Sequence, residues 1–149
     1  MEKSKTKILL PYLVILILFI VDRILKYTAV SLDKTSGFFV FEKNTGIAFS
    51  IHLPQIILPI LTFIIILFVI SYSLKYLASK KFTLHLTTLL VITGAISNLI
   101  DRLKFGYVID YINLKFWPVF NVADVMIVVG VIIWMWNLRS QKLETRNNV

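Results

Sequence analysis

The 149-residue sequence contains no cysteine, and only 2 of its residues are histidine. Without cysteine the chain has no disulfides, no thiol nucleophile and no cysteine metal ligands. The histidines, His52 and His85, fall on opposite sides of the membrane that the hydrophobic pattern predicts, so they are not expected to share a metal ion. Acidic residues are also few, 8 against 16 lysines and arginines. We therefore expect no metal and no cofactor.

Long apolar runs are abundant, because 58% of the residues are hydrophobic. A soluble domain of this length needs more polar surface, so the composition favours an all-α integral membrane protein. A membrane-spanning helix takes ~20 apolar residues. Four runs of about this length are predicted as spans, at 8–30, 53–76, 84–100 and 117–138. They use most of the chain, so we expect a single membrane-embedded domain, residues 1–149.

The net charge of +8 is concentrated at the ends of the predicted spans. Basic residues precede the first span, separate the second from the third, and follow the fourth: Lys3, Lys5, Lys7, Lys75, Lys80, Lys81, Arg139, Lys142 and Arg146. These three segments share one side of the membrane if both termini are cytoplasmic, which the positive-inside rule predicts. No basic patch with aromatic residues is left over, so a nucleic-acid partner is not expected.

Four of the acidic residues lie in or beside apolar segments: Asp22, Asp101, Asp110 and Asp124. An ionisable group at membrane depth costs several kcal/mol, so each is a candidate functional residue. The predicted topology places all four near the outer face. A helix from Trp117 to Trp136 would rise ~28 Å, which matches a ~30 Å hydrocarbon core with tryptophan at both interfaces.

Polar residues recur near these carboxylates at helical spacings. The pairs that share a helix face are Asn98–Asp101, Asn121–Asp124, Asp22–Lys26 and Asn98–Arg102. Structural roles are an alternative. Asp22 with Lys26, and Asp101 with its sequence neighbour Arg102, can be ion pairs, and Asn98 and Asn121 can link helices by hydrogen bonds. Asp124 fits a structural role least well, because its nearest basic neighbour in sequence is Lys115. Gly94, one turn before Asn98, predicts a close approach of another helix.

Two carboxylates in a partly desolvated site do not ionise together easily, so one keeps its proton. Such a pair can hold a water molecule between a base and an acid, as in aspartic proteases. Spacing alone leaves open which two aspartates form it. Two alternatives are a serine nucleophile, Ser50 or Ser97, with Lys26 as base, and a proton- or cation-coupled transporter that uses the carboxylate cluster.

The segment between the first two spans, residues 36–54, alternates weakly between apolar and polar residues. It has a turn signal at Asn44, Thr45 and Gly46. The pattern predicts a short β-hairpin on the outer face. A small sheet there would form a cover over the aspartates.

Five motifs follow one another along the chain. They are "DRILK" with Asp22 and Lys26, "NTGIAF" with Asn44, Gly46, Ala48 and Phe49, "GAISNLIDR" with Asn98, Asp101 and Arg102, "GYVIDY" with Val108 and Asp110, and "FNVAD" with Asn121, Ala123 and Asp124. With these motifs in this order, the chain resembles the lipoprotein signal peptidase (signal peptidase II) family, whose members are bacterial membrane aspartyl endopeptidases. The resemblance covers nearly the whole chain.

The resemblance implies that Asp110 and Asp124 are the catalytic pair. It implies substrate-binding or supporting roles for Asp22, Lys26, Asn44, Gly46, Asn98, Asp101, Arg102, Asn121 and Ala123. The implied substrate is a prolipoprotein whose lipobox cysteine carries diacylglycerol, cleaved just before that cysteine. We expect a monomer among the lipids of the bacterial cytoplasmic (inner) membrane, with its active site near the outer face.

Three features depart from the family pattern. Arg23 stands where the family usually has glutamine, and Ser97-Asn98 stands where a Gly-Asn pair is commoner. The segment between Asp110 and Asp124 is also shorter than is usual. The third departure predicts a reshaped loop beside the site, with altered substrate contacts.

Overall fold

The computed structural model describes residues 2–46 and 56–147. Four helices dominate the fold: α1 (Glu2–Leu32), α2 (Ile57–Ala78), α3 (Phe82–Phe105) and α4 (Val122–Asn147). Two short strands, β1 (Phe39–Asn44) and β2 (Val108–Ile112), lie between α1 and α2 and between α3 and α4. The predicted fold class, a helical protein with a small β element, is confirmed.

Within residues 2–46 and 56–147, three helices meet the length and hydropathy needed to cross a membrane. Their apolar segments are Ile57–Ala78, Phe82–Phe105 and Val122–Ser140, with mean hydropathies of 2.6, 1.5 and 1.7. Helix α1 contains the predicted first span and carries Asp22, Arg23 and Lys26 in its second half. The second predicted span began at residue 53, but 53–55 lie outside the described residues and α2 begins at Ile57.

Helix α3 is central, since 56% of its apolar segment is buried against 22% for α2 and 17% for α4. It packs against all three other helices and β2. The apolar surfaces that α2 and α4 leave outside are what a membrane-embedded bundle presents to lipid. Helix α3 is capped by Gly106, whose φ of 80° is left-handed and whose N–H donates to the Arg102 carbonyl.

Glycines allow α3 and α4 to approach each other closely, as predicted for Gly94. A Cβ atom at Gly94 would lie 2.5 Å from the Ala123 carbonyl oxygen of α4. A Cβ atom at Gly130 of α4 would lie 2.7 Å from Val91 Cγ2 of α3. The interhelical distance therefore leaves no room for a side chain at either position.

The β element forms by a different pairing from the predicted hairpin. Strand β1 pairs antiparallel with β2, with Glu42 opposite Asp110 and Asn44 opposite Val108. The predicted turn residues do form a turn, since the Gly46 N–H donates to Asn44 Oδ1 at 3.1 Å. Residues 47–55, which include the rest of the predicted hairpin, lie outside the described part of the chain. The partner of β1 is thus a strand more than sixty residues away in sequence.

Helix α4 begins at Val122, not at Trp117 as the fourth predicted span did. Before the helix, Phe120 forms an isolated antiparallel bridge with Ile112 of β2. The Trp117–Trp136 distance was therefore predicted wrongly, because the first of these tryptophans precedes the helix. The bridge returns the chain to β2 and so brings Asn121 beside Asp110.

Candidate active site

An ion cluster between α1 and α3 forms one half of the site. Lys26 Nζ lies 2.7 Å from Asp101 Oδ2 and 3.3 Å from Asp22 Oδ2, and all three side chains are fully buried. The predicted Asp22–Lys26 ion pair is therefore present. Asp101 does not pair with its sequence neighbour Arg102, as the structural alternative supposed, but with Lys26 and with Arg23 at 2.6 Å. Removing one partner from a buried ion pair costs ~3–5 kcal/mol, so these contacts fix α1 against α3.

Asn98 links this cluster to Asp124. Its Oδ1 accepts a hydrogen bond from Lys26 Nζ at 2.8 Å, and its Nδ2 donates to Asp124 Oδ1 at 2.8 Å. An amide is suited to this place because it accepts from a cation at one end and donates to a carboxylate at the other. Asn98 therefore binds both groups and couples the position of Asp124 to that of Lys26.

Asn121 holds both carboxylates of the predicted catalytic pair. Its side-chain Nδ2 donates to Asp110 Oδ1 at 2.6 Å, while its backbone N–H donates to Asp124 Oδ2 at 3.2 Å. In return, Asn121 Oδ1 accepts the Asp124 N–H at 2.8 Å. These reciprocal bonds between the residue before a helix and its third residue form a capping box. The three-residue spacing thus reflects a helix cap rather than a shared helix face.

Asp110 lies in β2, 2% exposed, and accepts hydrogen bonds at both oxygens. Asn44 Nδ2 of β1 donates to its Oδ2 at 2.9 Å, and Asn121 donates to its Oδ1. Burial, and next the nearby charge of Asp124, raise the pKa of Asp110 to about 7, although the two amides and Lys26 act in the opposite direction. A carboxyl with this pKa can exchange a proton at neutral pH.

The N-terminus of α4 is buried, and side chains satisfy its first N–H groups. Tyr111 Oη accepts from Val122 at 3.0 Å, and Asp22 Oδ1 accepts from Ala123 at 3.1 Å. Tyr111 Oη also donates to Asp22 Oδ1 at 2.9 Å. Burial raises the pKa of Tyr111, so the phenol stays protonated and can donate. Helix starts leave such N–H groups without intrahelical partners, and here the side chains that bind them also position Asp124.

The structure brings the four predicted aspartates into one connected network. Asp22 and Asp101 share Lys26, Asp110 and Asp124 share Asn121, and Asn98 joins the two halves. Among the described side chains, every buried nitrogen and oxygen atom has a hydrogen-bond partner. A fully satisfied polar network of this kind is rigid.

The remaining predicted site residues lie around this network. Gly46 closes the turn at Asn44, and Ala123 is fully buried where Asp22 binds its N–H. Arg102 is half-buried and lies within electrostatic reach of Asp124 and Asp110. Its Nη1 donates to Thr62 Oγ1 at 3.5 Å. Ala48 and Phe49 of the second motif lie outside the described residues, as do Ser50 and His52.

Tyr111 and Arg23 of the network were not predicted as site residues, and Ser97 was named only as an alternative nucleophile. Tyr111 is fully buried, and a buried phenol needs a hydrogen-bond partner, so a tyrosine beside Asp110 in an apolar strand was a usable signal. Arg23 and Ser97 are the two positions that depart from the family pattern, and they contact each other. Arg23 Nη1 donates to the Ser97 carbonyl at 3.2 Å and to its hydroxyl at 3.3 Å.

The serine–lysine alternative does not fit the contacts of Ser97. A lysine base must be neutral to take a proton, but Lys26 pairs with two buried carboxylates. The Ser97 hydroxyl donates to Asp22 Oδ2 at 2.6 Å. Ser97 is therefore a structural member of the ion cluster.

The fold and the site together define a helical membrane protein with buried, interacting aspartates. Its backbone resembles two solved structures of bacterial membrane enzymes obtained by the in meso method. One has a TM-score of 0.73 at 23% identity and covers 89% of this chain and 88% of that chain. The other has a TM-score of 0.67 at 24% identity and covers 86% and 91%. At these identities the likeness supports the fold alone.

Sequence comparison is more specific. The family model described as signal peptidase (SPase) II matches residues 14–139. The lipoprotein signal peptidase of Moorella thermoacetica is 36% identical, with 87% of this chain and 93% of the relative covered. That of Halothermothrix orenii is also 36% identical, with 84% and 94% covered. The chain belongs to the signal peptidase II family, and it is a protease of the bacterial membrane. The transporter alternative is thereby excluded.

Proposed function

We propose that the chain removes the signal peptide from diacylglyceryl-modified prolipoproteins, with Asp110 and Asp124 activating the water that cleaves the peptide bond. The observation that carries this proposal is the joint binding of both carboxylates by Asn121. The relatives' name, lipoprotein signal peptidase, supports the substrate class. The family model supports the reaction class.

The surroundings of the two carboxyls favour different roles in the reaction. Asp110, with its pKa raised to about 7, is the carboxyl that carries the proton below neutral pH and still carries it in about half of the molecules at pH 7. Asp124 lies at a helix N-terminus, where the peptide dipoles stabilise its negative charge, and accepts hydrogen bonds from Asn98 and Asn121. Asp124 then takes a proton from water, whose oxygen attacks the scissile carbonyl carbon. Asp110 gives its proton to the carbonyl oxygen, which forms a tetrahedral intermediate. As this intermediate collapses, Asp124 gives its proton to the leaving nitrogen, the C–N bond breaks, and Asp110 takes back a hydroxyl proton.

The other predicted residues hold this pair or the substrate in place. Asn44 and Asn98 orient Asp110 and Asp124 through their amide groups. Arg102 is only half-buried and lies within electrostatic reach of both carboxylates. Its guanidinium can donate to a substrate carbonyl, so we assign it to substrate positioning. Asp22, Lys26 and Asp101 act as supporting residues, because their contacts fix α1, α3 and the start of α4.

The orientation in the membrane is part of the proposal. Both termini face the cytoplasm, because the basic residues between α2 and α3 favour that side. The site then lies near the outer face of the cytoplasmic membrane, at the opposite end of α3 from Lys81. Two acyl chains in the outer leaflet would hold the modified cysteine at this level, which supplies proximity before the chemical step. We propose that residues 1–149 act as one domain and as a monomer.

Purified protein incubated with one precursor in lipidated and unlipidated form tests this function. We expect cleavage just before the cysteine of the diacylglyceryl-modified precursor, and none of the unlipidated one. The matched precursors differ only in the lipid, so the comparison isolates its contribution. Equal cleavage of both would contradict the proposed substrate, and absence of cleavage of either would contradict the proposed function.

A further inference from the structure

Arg23 completes the charge balance of the buried ion cluster. The cluster contains two carboxylates, Asp22 and Asp101, and the buried Lys26 supplies only one positive charge. Arg23 supplies the second through its 2.6 Å contact with Asp101 Oδ1. Its side chain is 27% exposed, whereas the other three are fully buried. The positive charge of Arg23, at the exposed edge of the cluster, is therefore what makes the cluster neutral.

Asp101 connects Arg23 to both carboxylates of the proposed catalytic pair. One route runs from Asp101 Oδ2 to Lys26 at 2.7 Å, and from Lys26 through Asn98 to Asp124. The other route is shorter, since Asp101 Oδ2 also accepts the N–H of Ile109 at 3.3 Å. Ile109 directly precedes Asp110, so this bond fixes the strand segment that carries it. Every step of both routes is a polar contact between neighbouring groups.

Ser97 helps to hold the Arg23 guanidinium against Asp101. Arg23 Nη1 lies 3.2 Å from the Ser97 carbonyl oxygen and 3.3 Å from its hydroxyl oxygen. Ser97 is fully buried on α3, one turn before Asp101. The arginine is thus bound at two points of one helix, a geometry that a single ammonium group on a shorter side chain does not reproduce.

We propose that Arg23 is a positioning residue for catalysis, which acts on Asp110 and Asp124 through Asp101, Lys26 and Asn98. The inference rests on the proposed function, because it takes Asp110 and Asp124 as the reacting groups. Arg23 itself is not expected to touch the substrate. It holds the neutral cluster against which the catalytic pair is fixed.

Loss of the Arg23 charge should change the ionisation of Asp110. The charged groups around Asp110 are Asp124 of α4, Lys26 of α1, Asp101 and Arg102 of α3, and Glu42 opposite it on β1. Without Arg23 the ion cluster carries one surplus negative charge, and a nearby negative charge favours the protonated form of a carboxyl. Proton loss from Asp110, which ends activity at high pH, would then occur at a higher pH.

The test compares Arg23→Met and Arg23→Lys with the parent protein, using a diacylated lipobox peptide in detergent micelles. We expect Arg23→Met to lower kcat by about tenfold or more, an effect of the size that misplaced catalytic groups produce, with KM unchanged. Its alkaline limb should move up by about half a pH unit. Arg23→Lys should restore the position of the limb but not the full rate. Arg139→Met, which removes an exposed arginine of α4, is the matched control and should behave as the parent.

Four results would overturn the inference. Parental kcat and pH profile in Arg23→Met show that the arginine is dispensable, and a raised KM with parental kcat shows that it binds substrate instead. If Arg23→Met does not fold, Arg23→Gln takes its place in the test, because the glutamine amide can still donate to Asp101. An alkaline limb of Arg23→Gln at the parental pH would overturn the inference. Absence of cleavage by the parent overturns the proposed function together with this inference, whereas cleavage by the parent and an unaffected Arg23→Met overturn this inference alone.

Discussion

Asp110 and Asp124 are chemically identical residues in different surroundings. Asp110 is buried in a strand, where two neutral amides bind its oxygens. Asp124 caps the start of a helix, where its oxygens accept from the Asn98 amide and from the Asn121 backbone N–H. A carboxylate at a helix N-terminus is stabilised by the peptide dipoles, and one in a desolvated strand is not. This difference agrees with the acid and base roles that we propose for the two residues.

The first prediction at this scale concerns pH. Asp110 has its pKa raised to about 7, so below that pH it is protonated and can act as the acid. As the pH rises through about 7, Asp110 ionises and the pair loses its proton. We therefore expect kcat for the lipidated precursor to fall on the alkaline side of neutrality. A rate that rises steadily to pH 9 would show that protonated Asp110 is not required.

At the scale of elements, the start of α4 is the best-determined part of the site. Three side chains from outside the helix, those of Asn121, Tyr111 and Asp22, accept its first N–H groups. The same helix approaches α3 so closely that a Cβ atom at Gly94 would lie 2.5 Å from the Ala123 carbonyl oxygen. The position of Asp124 therefore depends on both the cap and the helix contact.

The second prediction compares two glycines of the α3–α4 contact. Gly94→Ala places a Cβ atom 2.5 Å from the Ala123 carbonyl, so the start of α4 must move away from α3. We expect a loss of about 1–3 kcal/mol in stability, as overpacking produces, and a clear fall in kcat. Thermal unfolding and cleavage rates of the purified variants measure the two effects.

Gly130→Ala is the matched control for this prediction. Its Cβ atom would lie 2.7 Å from Val91 Cγ2 and 3.0 Å from the Thr87 carbonyl, in the same helix pair but farther along α4 from Asp124. It should lower stability similarly while kcat stays near that of the parent. If both variants lose activity equally, the account of Gly94 as a determinant of Asp124 position is wrong.

Sequence patterns predicted the members of the site better than their contacts. Periodicity identified the Asp22–Lys26 pair, because both partners lie one turn apart on one helix. Adjacency in sequence suggested Arg102 as the structural partner of Asp101, whereas Arg23 and Lys26 from another helix bind it. Spacing cannot show which helix faces which, since that depends on packing. For the same reason the partner of β1 was predicted within its own loop rather than in β2.

At the scale of the whole molecule, hydropathy predicted the fold class because the apolar segments are long and distinct. The beginning of α4 was missed by five residues, since Trp117 and Phe120 are as apolar as the helix that follows. What distinguishes them is the backbone pairing of Phe120 with Ile112, which is a long-range contact. The convergence of four carboxylates could be predicted because it follows from topology alone.

The third prediction tests that topology. The chain lacks cysteine, so a single introduced cysteine is a clean probe. Ser36, between α1 and β1, and Ser79, between α2 and α3, are both exposed, so Ser36→Cys and Ser79→Cys form a matched pair. In cells with the outer surface of the cytoplasmic membrane accessible, a membrane-impermeant maleimide should label Ser36→Cys and leave Ser79→Cys unlabelled until the membrane is permeabilised. The reverse labelling would place the site on the cytoplasmic side.

The central claim is that Asp110 and Asp124 carry out catalysis as a pair. The most direct measurement is the cleavage rate of a diacylated lipobox peptide by Asp110→Asn and Asp124→Asn, with folding checked by thermal unfolding. Asp33→Asn, at an exposed aspartate after α1, is the matched control and should retain the parental rate. Each of the two site variants should stay folded and lose activity by about 10³-fold or more, as expected when an acid or base is removed. Full activity in either folded variant would contradict the account.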